Sequence, residues 1–255
     1  MLCKLMIEIE KDPETYISYH SSSLFQGVIM EQVSTEYAKK MHFSEIRPYS
    51  QYLRFEKEKI LWTICTVKEE AYQEIILPLM KDEFSEVYLC HNQQRLPIKS
   101  KRIEKESMDE LLSRTFFGEC RRFVEIQFIT PCAFKTKGNY MFYPTVRHIF
   151  QSLIHKFDAG AHDFTVYTPE LLMDLENNVS IIAYQLRSTN FQLERVKIPS
   201  FIGKITLRIQ GPSQLINLVH MLISYGEYCG VGIKSAIGMG AITLVKGSDK
   251  ANGKR

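Results

Sequence analysis

The sequence contains no CxxC pair, and its six cysteines (Cys3, Cys65, Cys90, Cys120, Cys132 and Cys229) stand far apart. Most lie in apolar runs, where a thiol behaves as a small hydrophobe, so no structural zinc and no metal site is expected. Long hydrophobic runs are missing too. Stretches such as residues 75–80 and 215–223 fall well short of the roughly 20 residues that span a bilayer, which argues against a membrane segment. The N-terminal MLCKLMIEIEKD becomes charged within a few residues and lacks a secretory core and cleavage site, so a cytoplasmic location is expected. A large charge of one sign is also lacking. At a net +3, no diffuse basic field argues for a polyanionic partner, and local clusters must carry any such case. A Walker-type G-K-[ST] is absent, and no organic cofactor is expected.

What the chain does have is an ordinary globular composition, 45 % hydrophobic and 24 % charged over 255 residues, enough for two compact domains of about 120 residues each. Residues 1–10 alternate as a strand. Ser21, Ser22 and Ser23 supply helix N-cap chemistry before the apolar-periodic stretch 24–33, and Ser34 and Thr35 offer caps for a second short helix, 36–41. Residues 51–56 and 60–67 read as a strand hairpin around Lys57-Glu58-Lys59, residues 69–81 as a helix that Pro78 kinks or ends, and residues 86–90 as a strand. The order βαββαβ predicts a ferredoxin-like (RRM-like) α+β domain. Between Pro97 and Arg114 the chain turns strongly charged, with KSKRIEKES at its centre, and the domain join is placed there: residues 1–115 form one domain and 116–246 the next.

The second half repeats the pattern. Residues 123–130 form a strand and 145–157 a helix, 180–187 and 204–209 are strands joined by a polar, basic hairpin, 213–228 is a helix, and 241–245 closes the fold as a strand. Two tandem ferredoxin-like domains with a C-terminal glycine-rich loop account for nearly the whole chain. The small, polar, basic residues 247–255 read as a flexible tail.

That loop is GVGIKSAIGMG, residues 230–240. Gly230, Gly232, Gly238 and Gly240 form two G-x-G pairs that flank five residues, among them Lys234 and Ser235. Two readings are open: a row of backbone N–H groups that holds phosphates, or a tight helix-to-strand connection whose glycines solve packing. A dinucleotide fingerprint is excluded, because it needs a strand before the glycines and a helix after them.

The spacing of the two pairs around a lysine, near the C-terminus and after the strand-like PSFIGKITLRI (residues 199–209), resembles the glycine-rich loop of the RAMP superfamily of CRISPR-associated proteins. Within it the chain looks most like the repeat-processing endoribonucleases. The resemblance implies tandem ferredoxin-like domains and CRISPR repeat RNA, precursor and processed guide, as partner. It implies metal-independent cleavage by attack of a 2′-hydroxyl on the adjacent phosphate, leaving a 2′,3′-cyclic phosphate and a 5′-hydroxyl. Association with an effector complex and a homodimer are further expectations of the same kind. A non-catalytic RNA-binding subunit of an effector complex is the alternative; a small-molecule-binding ferredoxin-like protein has no supporting motif.

Such a reaction needs a proton carrier and a cation. The resemblance places a catalytic histidine after the first helical region with a basic residue, commonly lysine, downstream. In YAKKMHFSEIRPYSQYLRF (residues 37–55) His42 takes the first position and Arg47 the second, while Tyr37 is a candidate to orient the nucleophile. His20 is the rival. With residues 21–41 as one straight helix it would lie roughly 30 Å from His42, whereas a bend at Ser34 would let both approach one phosphate. His148, His155 and His220 fall in amphipathic helices, where a structural or solvent-facing role is the default. For RNA contact beyond the loop, Lys99, Lys101 and Arg102, the pair Arg121 and Arg122, Lys135 and Lys137, and the hairpin residues Arg187, Arg195 and Lys197 are candidates. The last group is favoured, with Asn190 and Phe191 placed at its tip as an aromatic for a base.

Overall fold

A computed structural model of the chain describes residues 1–11, 17–57, 59–91, 93–160, 164–193 and 196–245. Its first sheet holds β1 (Leu2–Glu10), β2 (Tyr49–Phe55), β3 (Lys59–Thr66), β4 (Glu86–Leu89) and β5 (Gln94–Glu106), in the order β2-β3-β1-β5-β4. The alternation in β1 sends Leu5, Ile7 and Ile9 inward, and Leu5 stands opposite both Ile64 of β3 and Ile103 of β5. Helices α1 (Ser22–Gln32) and α2 (Thr35–Phe43) follow β1 and bring Phe25, Ile29 and Met41 onto a core that includes Trp62 and Leu79.

The bend between α1 and α2 is real and has a chemical cause. Ser34 is extended (ψ 149°), and its Oγ accepts the Tyr37 N–H at 3.2 Å, so α2 begins on its own cap rather than continuing α1. The serines before α1 act differently. Ser18 and Ser21 form a reciprocal capping box around a 3₁₀ turn, Tyr19–Ser21, and Ser21 makes no side-chain cap for α1 itself. The helix expected over residues 69–81 runs as α3 (Glu69–Ala71), a π-helical turn Tyr72–Ile76 and α4 (Leu77–Met80); Pro78 follows directly on the π turn, where the Leu77 N–H donates to the Tyr72 carbonyl, and does not end the helix.

The charged stretch placed at the domain join is not a linker. Most of it is β5, paired along β1 from Leu2↔Glu106 to Ile9↔Ile98. Its charges point outward and are neutralised locally: Lys99 pairs with Glu10 at 3.5 Å, Arg102 with Glu104 at 2.6 Å, and Lys101 donates to the Lys81 carbonyl at 2.6 Å. β5 thereby takes the place beside β1 that the ferredoxin order gives its fourth strand, and β4 is added outside it as a short edge. Helix α5 (Met108–Arg114), opened by the Ser107–Glu110 capping box, leads to the second half.

The second sheet holds β6 (Phe123–Cys132), β9 (Val179–Leu193), β10 (Val196–Ile209) and β11 (Ile242–Leu244) in the antiparallel order β11-β6-β10-β9 of a ferredoxin-like fold, covered by α6 (Val146–Gly160), α7 (Pro169–Asn178) and α8 (Ser213–Cys229). A small hairpin, β7 (Phe134–Thr136) and β8 (Asn139–Met141), turns through Lys137 and Gly138, both at positive φ. The two ferredoxin-like units share a core. Leu2, Cys65 and Val67 pack in one apolar cluster with Phe150, Phe157 and Leu222, and Ser50 Oγ donates to the Tyr228 carbonyl at 2.6 Å.

Candidate nucleic-acid interface and active site

The glycine-rich segment leaves α8 at Gly230 (φ 69°) and closes on itself, with the Val231 N–H donating to the Gly240 carbonyl at 2.7 Å. Between these ends Lys234 is left-handed (φ 58°, ψ 33°) and opens a 3₁₀ turn, Ser235–Ile237. The rest of the loop is anchored to the second sheet: Ile233 N donates to the Ala133 carbonyl at 3.0 Å and Gly240 N to the Pro131 carbonyl at 2.9 Å. A Cβ on Gly240 would overlap the Val231 carbonyl oxygen, and one on Gly238 would overlap Ser22 of α1. Both glycines sit at positive φ as well. The expected row of phosphate-binding amides is therefore corrected: most loop N–H groups are spent inside the protein, and the glycines serve close packing. Only the N–H groups of Lys234, Ser235 and Ala236 lack a partner among the described residues.

In front of this turn lies a cleft of about 730 Å³, walled on one side by Ser44–Arg47 after α2 and on the other by Lys135, Tyr140, His155, Lys156, Lys234 and Ser235. Among the described residues four cations, Arg47, Lys135, Lys156 and Lys234, face it against the one carboxylate of Glu45. The charge is local, as the modest net +3 requires. Lys156 was not singled out from the sequence. It reaches from α6 beneath the loop, and burial pushes its ammonium below the usual lysine range. His155, given a default structural role on sequence grounds, is exposed at the cleft wall with its ring 5.3 Å from that of Tyr167.

The structure joins some of the expected site residues and separates others. Arg47 lines the same cleft as Lys234 and Ser235, with its Nε donating to the Met41 carbonyl at 3.4 Å. His42 stands exposed in the last turn of α2, five residues ahead of Arg47, and its ring meets that of Phe43 at 5.4 Å; it is not in the cleft wall. Tyr37 is a correction. It is 2 % exposed in the core of the first unit, burial and the nearby Glu70 push its hydroxyl far above the usual tyrosine range, and that hydroxyl has no partner among the described residues. An inward position on α2 buries it, so it cannot orient a nucleophile.

His20 is tied to the second unit: its Nδ1 accepts the Gln192 N–H at 2.9 Å, its ring packs between Tyr19 and Phe191, and burial pushes its pKa down. With Nδ1 accepting, the neutral ring carries its proton on Nε2. Phe191, expected as an exposed aromatic at a hairpin tip, is fully buried against Ile198, Ile237 and Met239. The hairpin is longer than its apolar pattern suggested, so Phe191 falls on the inner face short of the turn. Arg187 and Lys197 are exposed on β9 and β10 without lining the cleft, and Arg195 lies outside the described residues, as does the tail from residue 246.

Tandem ferredoxin-like units around a cation-lined cleft, with the loop of residues 230–240 at its wall, define a protein of the RNA-binding class. The model of the family "CRISPR-associated endoribonuclease Cas6" matches residues 126–242. A CRISPR-associated endoribonuclease Cas6 of Streptococcus thermophilus is 31% identical over 225 residues, 88% of this chain and 91% of its own length. One from Mycobacterium tuberculosis is 32% identical over 221 residues, 86% of this chain and 69% of its own. Among solved structures, a Cas6 product complex superposes with a TM-score of 0.79 at 21% identity, covering 96% of this chain and 99% of the other. The chain belongs to the Cas6 family of CRISPR-associated endoribonucleases and is an endoribonuclease. Among the described residues no helix is long and apolar enough to cross a membrane.

Proposed function

We propose that this protein cleaves CRISPR precursor RNA within its repeats, in the cytoplasm, by attack of a ribose 2′-hydroxyl on the adjacent phosphate, with a 2′,3′-cyclic phosphate and a 5′-hydroxyl as products. The observation that carries the reading is the meeting of Arg47 with Lys234 and Ser235 across one cleft, which joins the histidine-bearing segment of the first unit to the loop of the second. A strand of RNA drawn into that cleft by its four cations brings a phosphate beside Arg47, whose guanidinium stabilises the pentavalent phosphorane. His42, exposed and near Arg47 in sequence, is the proton carrier. His20 enters differently. Its Nδ1 is occupied by the Gln192 N–H, so it serves as a hydrogen-bond donor through Nε2 and not as the base.

The test is single-turnover cleavage of repeat RNA by purified protein in EDTA. Cleavage by the wild type and its loss in His42→Ala are expected. Unchanged cleavage after His42→Ala and His20→Ala together would remove the residue assignment, and absence of any cleavage by the wild type would remove the reaction.

A further inference from the structure

The loop takes its shape from a helix to which it does not belong. On α6, Ser152 and Lys156 are four residues apart and share one face. Ser152 Oγ accepts the Gly232 N–H at 2.8 Å, while Lys156 Nζ donates to the Cys229 carbonyl at 3.2 Å, the Gly230 carbonyl at 3.1 Å and Ser235 Oγ at 3.1 Å. An ammonium has three protons, and each of these has an acceptor. Two acceptors are the carbonyls that end α8, the negative end of that helix, and the third belongs to the 3₁₀ turn at the cleft.

A half-buried cation is costly to keep without a carboxylate, and among the described residues Lys156 has none within ion-pair distance. A neutral side chain of the same length would fill the space at less cost, so the charge itself has a use. That use is visible at Ser235. Its Oγ accepts from the ammonium, which leaves the hydroxyl proton free for another acceptor and, through polarisation, makes it a stronger donor. Ser235 and Lys156 both face the cleft.

We infer that Lys156 is a positioning residue for RNA binding: from outside the loop it ties the end of α8 to the 3₁₀ turn and presents the Ser235 hydroxyl as a donor to an RNA phosphate. This rests on the reading above that RNA occupies the cleft. Ser152 holds the opposite side of the loop from the same helix face, so the S-x-x-x-K spacing on α6 is the template on which the glycine loop is formed.

Two measurements on the full chain test it. Hydrogen exchange without RNA reads the loop directly: in Lys156→Met the amides of Val231 and Gly240 are expected to exchange about tenfold faster or more, with the β1–β3 pairing unchanged. Binding of repeat RNA bearing a 2′-deoxy group at the scissile nucleotide reads the consequence. An affinity loss of roughly thirtyfold is expected for Lys156→Met and about tenfold for Ser235→Ala. The double variant should be little worse than Lys156→Met alone, and Lys156→Arg should recover part of the loss. Should Lys156→Met unfold, Ser152→Ala is expected to loosen the same amides with a smaller loss of affinity. Unchanged loop exchange, or losses that multiply in the double variant, would overturn the inference. If the wild type binds no RNA, the cleft reading fails instead, and the exchange data still decide whether Lys156 shapes the loop.

Discussion

The glycine-rich loop and the segment after α2 stand on opposite walls of one cleft and are built in opposite ways. The loop is held by backbone bonds to Pro131, Ala133 and its own ends, and by Ser152 and Lys156 from beneath. The facing segment, Ser44–Arg47, is tied by Ser44 Oγ donating to the Lys40 carbonyl at 3.0 Å and Arg47 Nε to the Met41 carbonyl at 3.4 Å, and it follows a helix end where His42 is exposed and Phe43 is 84 % exposed. The difference separates two tasks. A surface that grips any stretch of backbone gains from preorganisation, whereas side chains that move protons must reach a substrate that arrives in the cleft. On the proposed function, RNA binding falls to the rigid wall and cleavage to the sparse one.

The comparison breaks most visibly at His42. Its replacement by alanine is expected to slow single-turnover cleavage about a thousandfold, roughly 4 kcal/mol, with the affinity for 2′-deoxy repeat RNA unchanged; a loss of affinity of the same size would erase the distinction between the walls. On the rigid wall the expected damage is to the fold. Gly240→Ala forces a Cβ onto the Val231 carbonyl at positive φ and is expected to cost about 3 kcal/mol of stability, read by denaturant unfolding. Arg47→Ala is expected to lower the cleavage rate about a hundredfold while stability stays within about 0.5 kcal/mol, because the side chain makes little of the core.

Smaller effects sharpen the account. Tyr37→Phe removes a buried hydroxyl that has no partner among the described residues and is expected to leave cleavage unchanged and stability equal or up to about 1 kcal/mol higher. Histidines with depressed pKa give the smallest signal. Burial pushes His20 and His220 below their ordinary 6.5. The unfolded chain thus takes up protons first, and their contribution to stability is complete above that pH and is lost as pH falls through the lower folded values. Wild type and His20→Asn should therefore converge in stability on acidification, in denaturant melts from pH 8 to about pH 5.

Much of the fold was legible because its strands and helices carry clean periods. The α1–α2 bend was one of two readings that the sequence left open, and the Ser34 cap decides it. Among the elements that escaped, β5 and α7 did so for reasons that local pattern explains. In β5 only Leu96, Ile98 and Ile103 mark an inner face, and a run of charged residues such as Lys99, paired with Glu10 across the sheet, looks the same as a solvated linker. Helix α7 was signalled by Thr168, whose Oγ1 caps the Leu171 N–H at 3.0 Å, and by Pro169 at the first turn, a start signal that went unread. Of the residues that line the cleft, Lys234 was marked by the glycine loop and Arg47 by the family resemblance. Lys156 was not, because its acceptors are carbonyls some 70 residues away and a lysine on an amphipathic helix reads as surface. Tyr37 misled for the converse reason: a tyrosine near the candidate histidine in sequence is turned inward by the helix period.

The division of labour is tested most directly with wild-type protein and repeat RNA carrying a single 2′-deoxy substitution at the scissile nucleotide, with affinity and cleavage measured side by side. The account predicts affinity equal to that of unmodified RNA and no detectable cleavage, since on the proposed function the cations of the cleft hold the RNA and the nucleophile belongs to the RNA. Continued cleavage at the same bond would contradict it, because the attacking oxygen would then come from elsewhere.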